Sequence, residues 1–112
     1  MVEQQRRASD ETLRDMARYF AGLKDVMRLR IMATLASAGA MTVTELARTL
    51  HASQPLISFH LRPLRVIGLV KVRRTGREVH YSLNLPEVRR RYDEFVGMLS
   101  HLEDKTKSEV EG

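Results

Sequence analysis

The sequence contains no cysteine. Disulfides, thiolate metal sites and thiol redox switches are thereby excluded together. No apolar run approaches the roughly 20 residues of a membrane span, and no apolar region follows the opening Met1-Val2-Glu3-Gln4-Gln5-Arg6-Arg7. Neither a membrane partner nor a secretory signal is expected, and a cytoplasmic location is. There is no glycine-rich phosphate loop, no acidic metal cluster, and no Ser/His/Asp set with supporting context; the four histidines are scattered. An enzyme is not expected, and no cofactor is implied.

Acidic residues are scarce in one region. From Arg62 to Arg91 nine Arg or Lys accompany only Glu78 and Glu87, whereas six acids and two lysines follow from Tyr92 onward. Fifteen of the nineteen basic residues are arginine, whose planar fork suits phosphate and guanine. The net charge of +5 is thus concentrated in one stripe, which favours an acidic polymer as partner. A solvated charged face is the plainer alternative.

At 112 residues, with 43% hydrophobic and 29% charged, the chain suits one soluble domain with a modest core. Residues 1–8 lack periodicity and read as a flexible tail, and the polar end, 104–112, reads as another. Residues 9–103 read as the folded domain. Leu13, Met16, Ala17, Phe20 and Leu23 form one apolar helical face, and Gly22 lies near its end. Asp25 is placed to cap a second helix with Met27, Ile31, Met32 and Leu35 inward, stopped at Gly39. Thr42-Val43-Thr44-Glu45 is a capping box opening a short third helix with Leu46, Ala47 and Leu50 inward, ending near His51-Ala52.

Ser53 can cap a fourth helix after a turn of about two residues. Ile57, Leu61 and Leu64 fall on one side of it; Gln54, Pro55, Ser58, Phe59 and Arg62 fall on the other. Two short helices joined so tightly, the second amphipathic, make a helix-turn-helix. The outer amide, hydroxyl and guanidinium can meet base edges and phosphates. Phe59 admits two readings, contact with a thymine methyl or packing against a neighbouring helix. His60 lies at the edge of the apolar stripe and reads as a half-buried structural residue. Pro63 removes the amide that would bond Phe59, at a cost of about 3 kcal/mol in a regular helix. A kink near Phe59–Arg62 is expected, with the helix continuing to about Ile67 and Gly68 as the αL residue beyond it.

After Gly68 the period changes to two. Leu69–Arg74 and Arg77–Leu83 alternate around Thr75-Gly76, giving a β-hairpin with Val79, Tyr81 and Leu83 on one face and Arg73, Arg74 and Arg77 at its tip. A basic hairpin directly after a helix-turn-helix is a wing, suited to phosphate or minor-groove contact. Asn84, Pro86 and Glu87 open a last helix. Its Val88, Tyr92, Phe95, Leu99 and Leu102 recur at spacings of four, three, four and three, a seam for packing on another helix. This seam and the first helix's Leu13, Met16 and Phe20 are best explained as a dimer interface, with packing inside one chain as the alternative.

From Phe20 to Leu83 the chain resembles the ArsR/SmtB family of bacterial winged-helix repressors. The resembling residues are Leu29-Arg30-Ile31, Leu46-Ala47, Ser53-Gln54-Pro55-Leu56-Ile57-Ser58-Phe59-His60-Leu61, Gly68-Leu69-Val70 and Val79-His80-Tyr81-Ser82-Leu83. The resemblance implies a homodimer joined through its first and last helices, whose two recognition helices enter successive major grooves of an imperfect palindrome. It also implies repression by blocking promoter access, relieved by an effector. Three features depart from the family. Thr42 and Thr44 stand where thiophilic-metal sensors carry cysteines, and hydroxyls are poor ligands for soft metals. In the last helix His101 has Asp104 three residues on and Asp93 eight before, which does not reproduce the zinc-sensor pattern. Phe59 stands where many relatives have a polar residue. No metal site is expected, and no pattern identifies an effector.

The expected fold is mainly α with a small β-hairpin, a dimeric winged helix-turn-helix of five helices and a two-stranded wing. The expected function is sequence-specific double-stranded DNA binding by a transcriptional repressor. Gln54, Ser58 and Arg62 would meet base edges and Phe59 a possible apolar contact, beside Pro55; Ser53, Arg73, Arg74 and Arg77 would meet phosphates. A winged helix serving only protein–protein contact is the rival.

Overall fold

The computed structural model describes the backbone of residues 2–111 and the side chains of residues 10–107. In order, the elements are α1 (Val2–Leu23), α2 (Val26–Ala38), α3 (Val43–Leu50), α4 (Gln54–Val66), β1 (Val70–Thr75), β2 (Glu78–Leu83) and α5 (Leu85–Glu111). The tails expected over residues 1–8 and 104–112 correspond to the outer turns of α1 and α5, and Met1 and Gly112 lie outside the described residues.

Local chemistry starts each central helix. Asp25 Oδ1 accepts from Met27 N at 2.8 Å and caps α2. Thr42 Oγ1 accepts from Glu45 N at 3.1 Å while Glu45 Oε1 reaches back to Thr42 N, completing the capping box of α3. Ser53 Oγ accepts from Leu56 N at 3.2 Å and caps α4. The stops are equally local. His51 adopts φ +53°, with Ala52 N bonded to Ala47 O, which folds the tight turn between α3 and α4. Gly68, at φ +81°, ends α4 with Gly68 N on Arg65 O and Leu69 N on Leu64 O, the paired bonds of a Schellman motif.

α4 runs unbroken through Pro63 to Val66. The proline leaves the Phe59 carbonyl without its helical partner, but that residue faces water, which can satisfy it. Meanwhile Ile57, Leu61 and Leu64 are fully or almost fully buried on the opposite side. At about 1.5–3 kcal/mol for each buried aliphatic side chain, this outweighs the proline's cost.

The core joins those residues to Ile31 and Leu35 of α2, Leu46 and Ala47 of α3, and Leu69 and Val70 at the entry to the wing. Two further residues belong to it. Tyr19 of α1 is buried, whereas Phe20, on the face expected to be apolar, is exposed. Met41 is buried and pairs with Tyr81 through Met41 N to Tyr81 O (2.9 Å) and Tyr81 N to Met41 O (2.8 Å), a one-residue strand beside β2.

β1 and β2 pair antiparallel from Val70 opposite Leu83 to Thr75 opposite Glu78. The turn is therefore Gly76–Arg77, one residue later than the alternation placed it. Only its glycine has positive φ, +62°, the combination a type II′ hairpin uses. Asn84 opens α5 by position, but its side-chain amide donates to Gly68 O at 3.0 Å instead of capping, and so ties α5 to the end of α4.

Arg91 pins α5 to α1. Its guanidinium bonds Asp15 of α1 and Glu87 of its own helix, and lies 5.7 Å from the Tyr19 ring centroid. Burial pushes the Tyr19 hydroxyl above its usual range. Hydrogen bonds from Arg90 and Arg91 hold the Glu87 carboxyl down, at about 2. A carboxylate with a depressed folded pKa adds stability above its unfolded value, lost as pH falls through the folded one. Glu87→Gln is therefore expected to lower the melting temperature by a few degrees at neutral pH. That gap should close as pH falls from the ordinary carboxylate range toward about 2. A gap that does not change with pH in thermal melts would contradict the assignment.

Candidate nucleic-acid interface

Helical spacing turns Gln54, Pro55, Ser58, Phe59 and Arg62 away from the buried stripe of α4, and each is exposed. The two readings of Phe59 separate here. The residue is 64% exposed, so it is not tucked against a neighbouring helix, and its ring stands edge-on to that of His60 with 5.2 Å between centroids. His60 itself is more buried than its place at the stripe's edge suggested, 7% exposed. Phe59 borders a surface groove with Ser58, Arg62, Pro63 and Val66.

A second groove runs between α4 and the wing, lined by Ser58, Leu61, Arg62, Arg65 and Tyr81. Arg65 lines it because its spacing of seven from Ser58 and three from Arg62 brings it to the same side. Ser53 is exposed at the start of α4, its hydroxyl oxygen accepting the capping bond.

Arg73, Arg74 and Arg77 are all exposed at the wing tip, but not on one face. Consecutive strand residues alternate, so Arg74 shares the face of Val72, Val79 and Tyr81, turned toward the α4 groove. Arg73 lies on the reverse face opposite His80, whose Nε2 is 3.4 Å from Glu78 Oε2.

The basic stripe between Arg62 and Arg91 divides in space. Arg90 and Arg91 are occupied by Glu87, Glu94 and Asp15 on the α1–α5 side. Among the described residues Arg62, Arg65, Arg73, Arg74 and Arg77 form no ion pair, and all five are exposed around α4 and the wing. Positive charge left uncompensated around α4 and the wing is what an incoming polyanion requires.

The exposed surfaces of α1 and α5 also carry apolar side chains. On α5, Tyr92, Leu99 and Leu102 are 62, 47 and 51% exposed. Val88 and Phe95 are half-buried, and Phe95 meets Phe20 of α1 edge-on at 5.1 Å between ring centroids. Leu13 and Phe20 are exposed, whereas Met16 is buried within the chain and has little surface left to offer a partner. Leu85 and Val96, outside the heptad seam, extend the same apolar exposure.

Among the described residues no three His, Asp or Glu side chains gather as a metal-binding group, and no helix is long and apolar enough to cross a membrane.

Comparison with known proteins agrees with this geometry. The sequence model described as "Bacterial regulatory protein, arsR family" matches residues 25–72, from the cap of α2 into β1. A transcriptional repressor SmtB homolog from Synechocystis is 40% identical over 87 residues, 73% of this chain and 65% of that protein. The chain spans about three fifths of the length of the first curated relatives it matches, 65, 58 and 59%. Among solved structures, an ArsR-like regulator from Rhodococcus superposes with a TM-score of 0.78 at 26% identity, covering 88% of this chain and 92% of that one. The homodimeric winged helix-turn-helix DNA-binding domain of Mb0332 from Mycobacterium bovis gives 0.64 at 28% identity, covering 80% and 83%. A possible transcriptional regulator for arsenical resistance is 37% identical, with a TM-score of 0.57 over 67% of this chain and 80% of that one. The winged fold, the position of the matched segment and these identities together show that the chain belongs to the ArsR family of bacterial regulatory proteins.

Proposed function

We propose that this chain is a homodimeric, sequence-specific, double-stranded DNA-binding transcriptional repressor, cytoplasmic and without catalytic or metal-sensing activity of its own. The observation that carries the reading is the set of five unpaired, exposed arginines around an amphipathic helix whose outer face bears Gln54, Ser58 and Arg62. In this assignment those three side chains meet base edges in the major groove. Phe59, exposed beside them, packs on thymine methyl groups, and Pro55 pre-forms the first turn. Ser53, Arg65, Arg73, Arg74 and Arg77 hold the phosphate backbone. Residues 9–103 form the working unit, and the apolar side made by Leu13, Phe20, Tyr92, Leu99 and Leu102 joins two copies, with Val88 and Phe95 supporting it from beneath. A two-fold dimer then reads an imperfect palindrome whose half-sites lie about 34 Å apart.

Selection of bound duplexes from a random pool by the purified protein tests this reading. A recovered palindromic consensus is the expected outcome. Recovery of no preferred sequence, together with weak, salt-insensitive binding, would favour a protein-contact module instead. The wing makes a narrower prediction. Arg74→Ala with Arg77→Ala should weaken binding to all duplexes alike by about tenfold and reduce the slope of log K against log salt by about 2. Isotherms at several salt concentrations that match the unaltered protein would remove the wing from the interface.

A further inference from the structure

The contacts assigned to α4's outer face leave its rear unexplained. Among the described residues His60 is, apart from the Tyr19 phenol, the one buried side chain with a polar group. Its Nδ1 accepts from Arg28 Nε at 3.3 Å. The same guanidinium donates through a terminal nitrogen to Gly22 O, also at 3.3 Å. One side chain of α2 therefore holds both the last turn of α1 and the middle of α4. Asp25 completes the cluster: its Oδ1 caps α2 and lies 3.9 Å from His60 Nδ1. The ends of α1 and α4 also meet directly. A Cβ added at Gly22 would come within 2.5 Å of Ile67 Cδ1, so only glycine allows this approach without a shift.

The arrangement is directional. Accepting at Nδ1 requires an imidazole that is neutral and carries its proton on Nε2. A guanidinium presents its donors in a rigid fork, so two acceptors on two helices are held at fixed separation. His60 sits on the back of the turn that presents Ser58, Phe59 and Arg62. A small displacement of its ring moves those three groups together. Base-edge hydrogen bonds tolerate little displacement, whereas phosphate contacts from long arginine side chains tolerate much more.

Resting on the DNA-binding reading above, we propose that Arg28 and His60 are positioning residues. They set the pose of the recognition helix against α1, and through α1 against the dimer axis, so that they govern sequence discrimination more than total affinity for DNA.

The full chain tests this with Arg28→Ala, His60→Leu, His60→Asn and His60→Gln. Asparagine places an acceptor oxygen near the position of Nδ1; glutamine places its amide near Nε2. For each protein, affinity is measured for the selected duplex and for a scrambled duplex at one salt concentration, beside sedimentation and thermal melting. Arg28→Ala and His60→Leu are expected to remain dimeric and to bind the scrambled duplex within about twofold. Their affinity for the selected duplex should fall about tenfold, the scale of leaving a buried partner unsatisfied. His60→Asn should recover most of that loss and His60→Gln should not. If Arg28→Ala or His60→Leu fails to fold, the Asn and Gln pair carries the comparison. Equal losses on both duplexes, or equal behaviour of Asn and Gln, would overturn the proposal and leave His60 a packing residue. An unaltered protein that selects no sequence removes the DNA-binding reading and this proposal with it. One that selects a sequence as well as all four variants do removes the positioning role alone.

Discussion

With Leu99 and Leu102 both replaced by aspartate, the protein is expected to sediment as a monomer and to lose about 100-fold or more in affinity for its selected duplex. Both side chains are about half exposed on α5 and take no part in the core. In the proposed dimer a second copy covers them, and each apolar side chain covered is worth about 1.5–3 kcal/mol. A two-fold interface uses every residue twice, so the double variant places four carboxylates in one apolar seam. Losing the partner also removes the second half-site, and tethering two modules typically contributes a factor of about 10²–10⁴. Because these positions lie outside the core, helix content by circular dichroism should persist. Sedimentation velocity and duplex titration on the same sample check both halves. A variant that stays dimeric would move the interface elsewhere; a monomer with full affinity would show that dimerisation is not part of recognition.

Features encoded by residues close together in the chain are legible in the sequence alone. The caps at Asp25, Thr42 and Ser53 and the stop at Gly68 are each made by hydrogen bonds spanning a few residues. Their residue types identify them at once. The period of two around Gly76 reveals the hairpin for the same reason. Its register is harder. The turn's placement depends on which residues pair across the strands, and Thr75 opposite Glu78 shifts it by one.

Features decided by distant partners are not legible in this way. On α1, Met16 and Phe20 are spaced four apart and share a stripe with Leu13, but Met16, Tyr19 and Leu23 form an equally regular stripe next to it. Packing against the core selects the second, burying Tyr19 and leaving Phe20 outside. Met41 forms a one-residue strand, too short for any periodicity. The candidate site divides along the same line. Helical spacing identifies the outer face of α4 and its exposure. It cannot show that Arg90 and Arg91 are taken by Glu87, Glu94 and Asp15, leaving the arginines of α4 and the wing free. Nor can it show that His60 is bonded to a side chain 32 residues earlier.

Of the free arginines, Arg62 should carry the most sequence information. It lies one turn after Ser58, on the exposed face of α4, where a guanidinium can bond the O6 and N7 of a guanine together. Arg62→Ala is expected to cost about 1–3 kcal/mol, or roughly 5- to 150-fold, on the selected duplex. The loss should be confined to one base pair of each half-site. For the unaltered protein, replacing that pair weakens binding strongly; for the variant the same replacement should have almost no effect, while penalties at other pairs persist. Arg62→Lys should keep part of the discrimination, since an ammonium can still donate to O6 and N7 but lacks the rigid planar fork. Titration of a panel of singly substituted duplexes makes the comparison. If every duplex instead weakens by one common factor and the salt slope falls by about 1, Arg62 grips phosphate. Base reading would then fall to Gln54, Ser58 and Phe59, and an α4 that discriminates through an amide, a hydroxyl and an aromatic ring would favour A·T-rich half-sites.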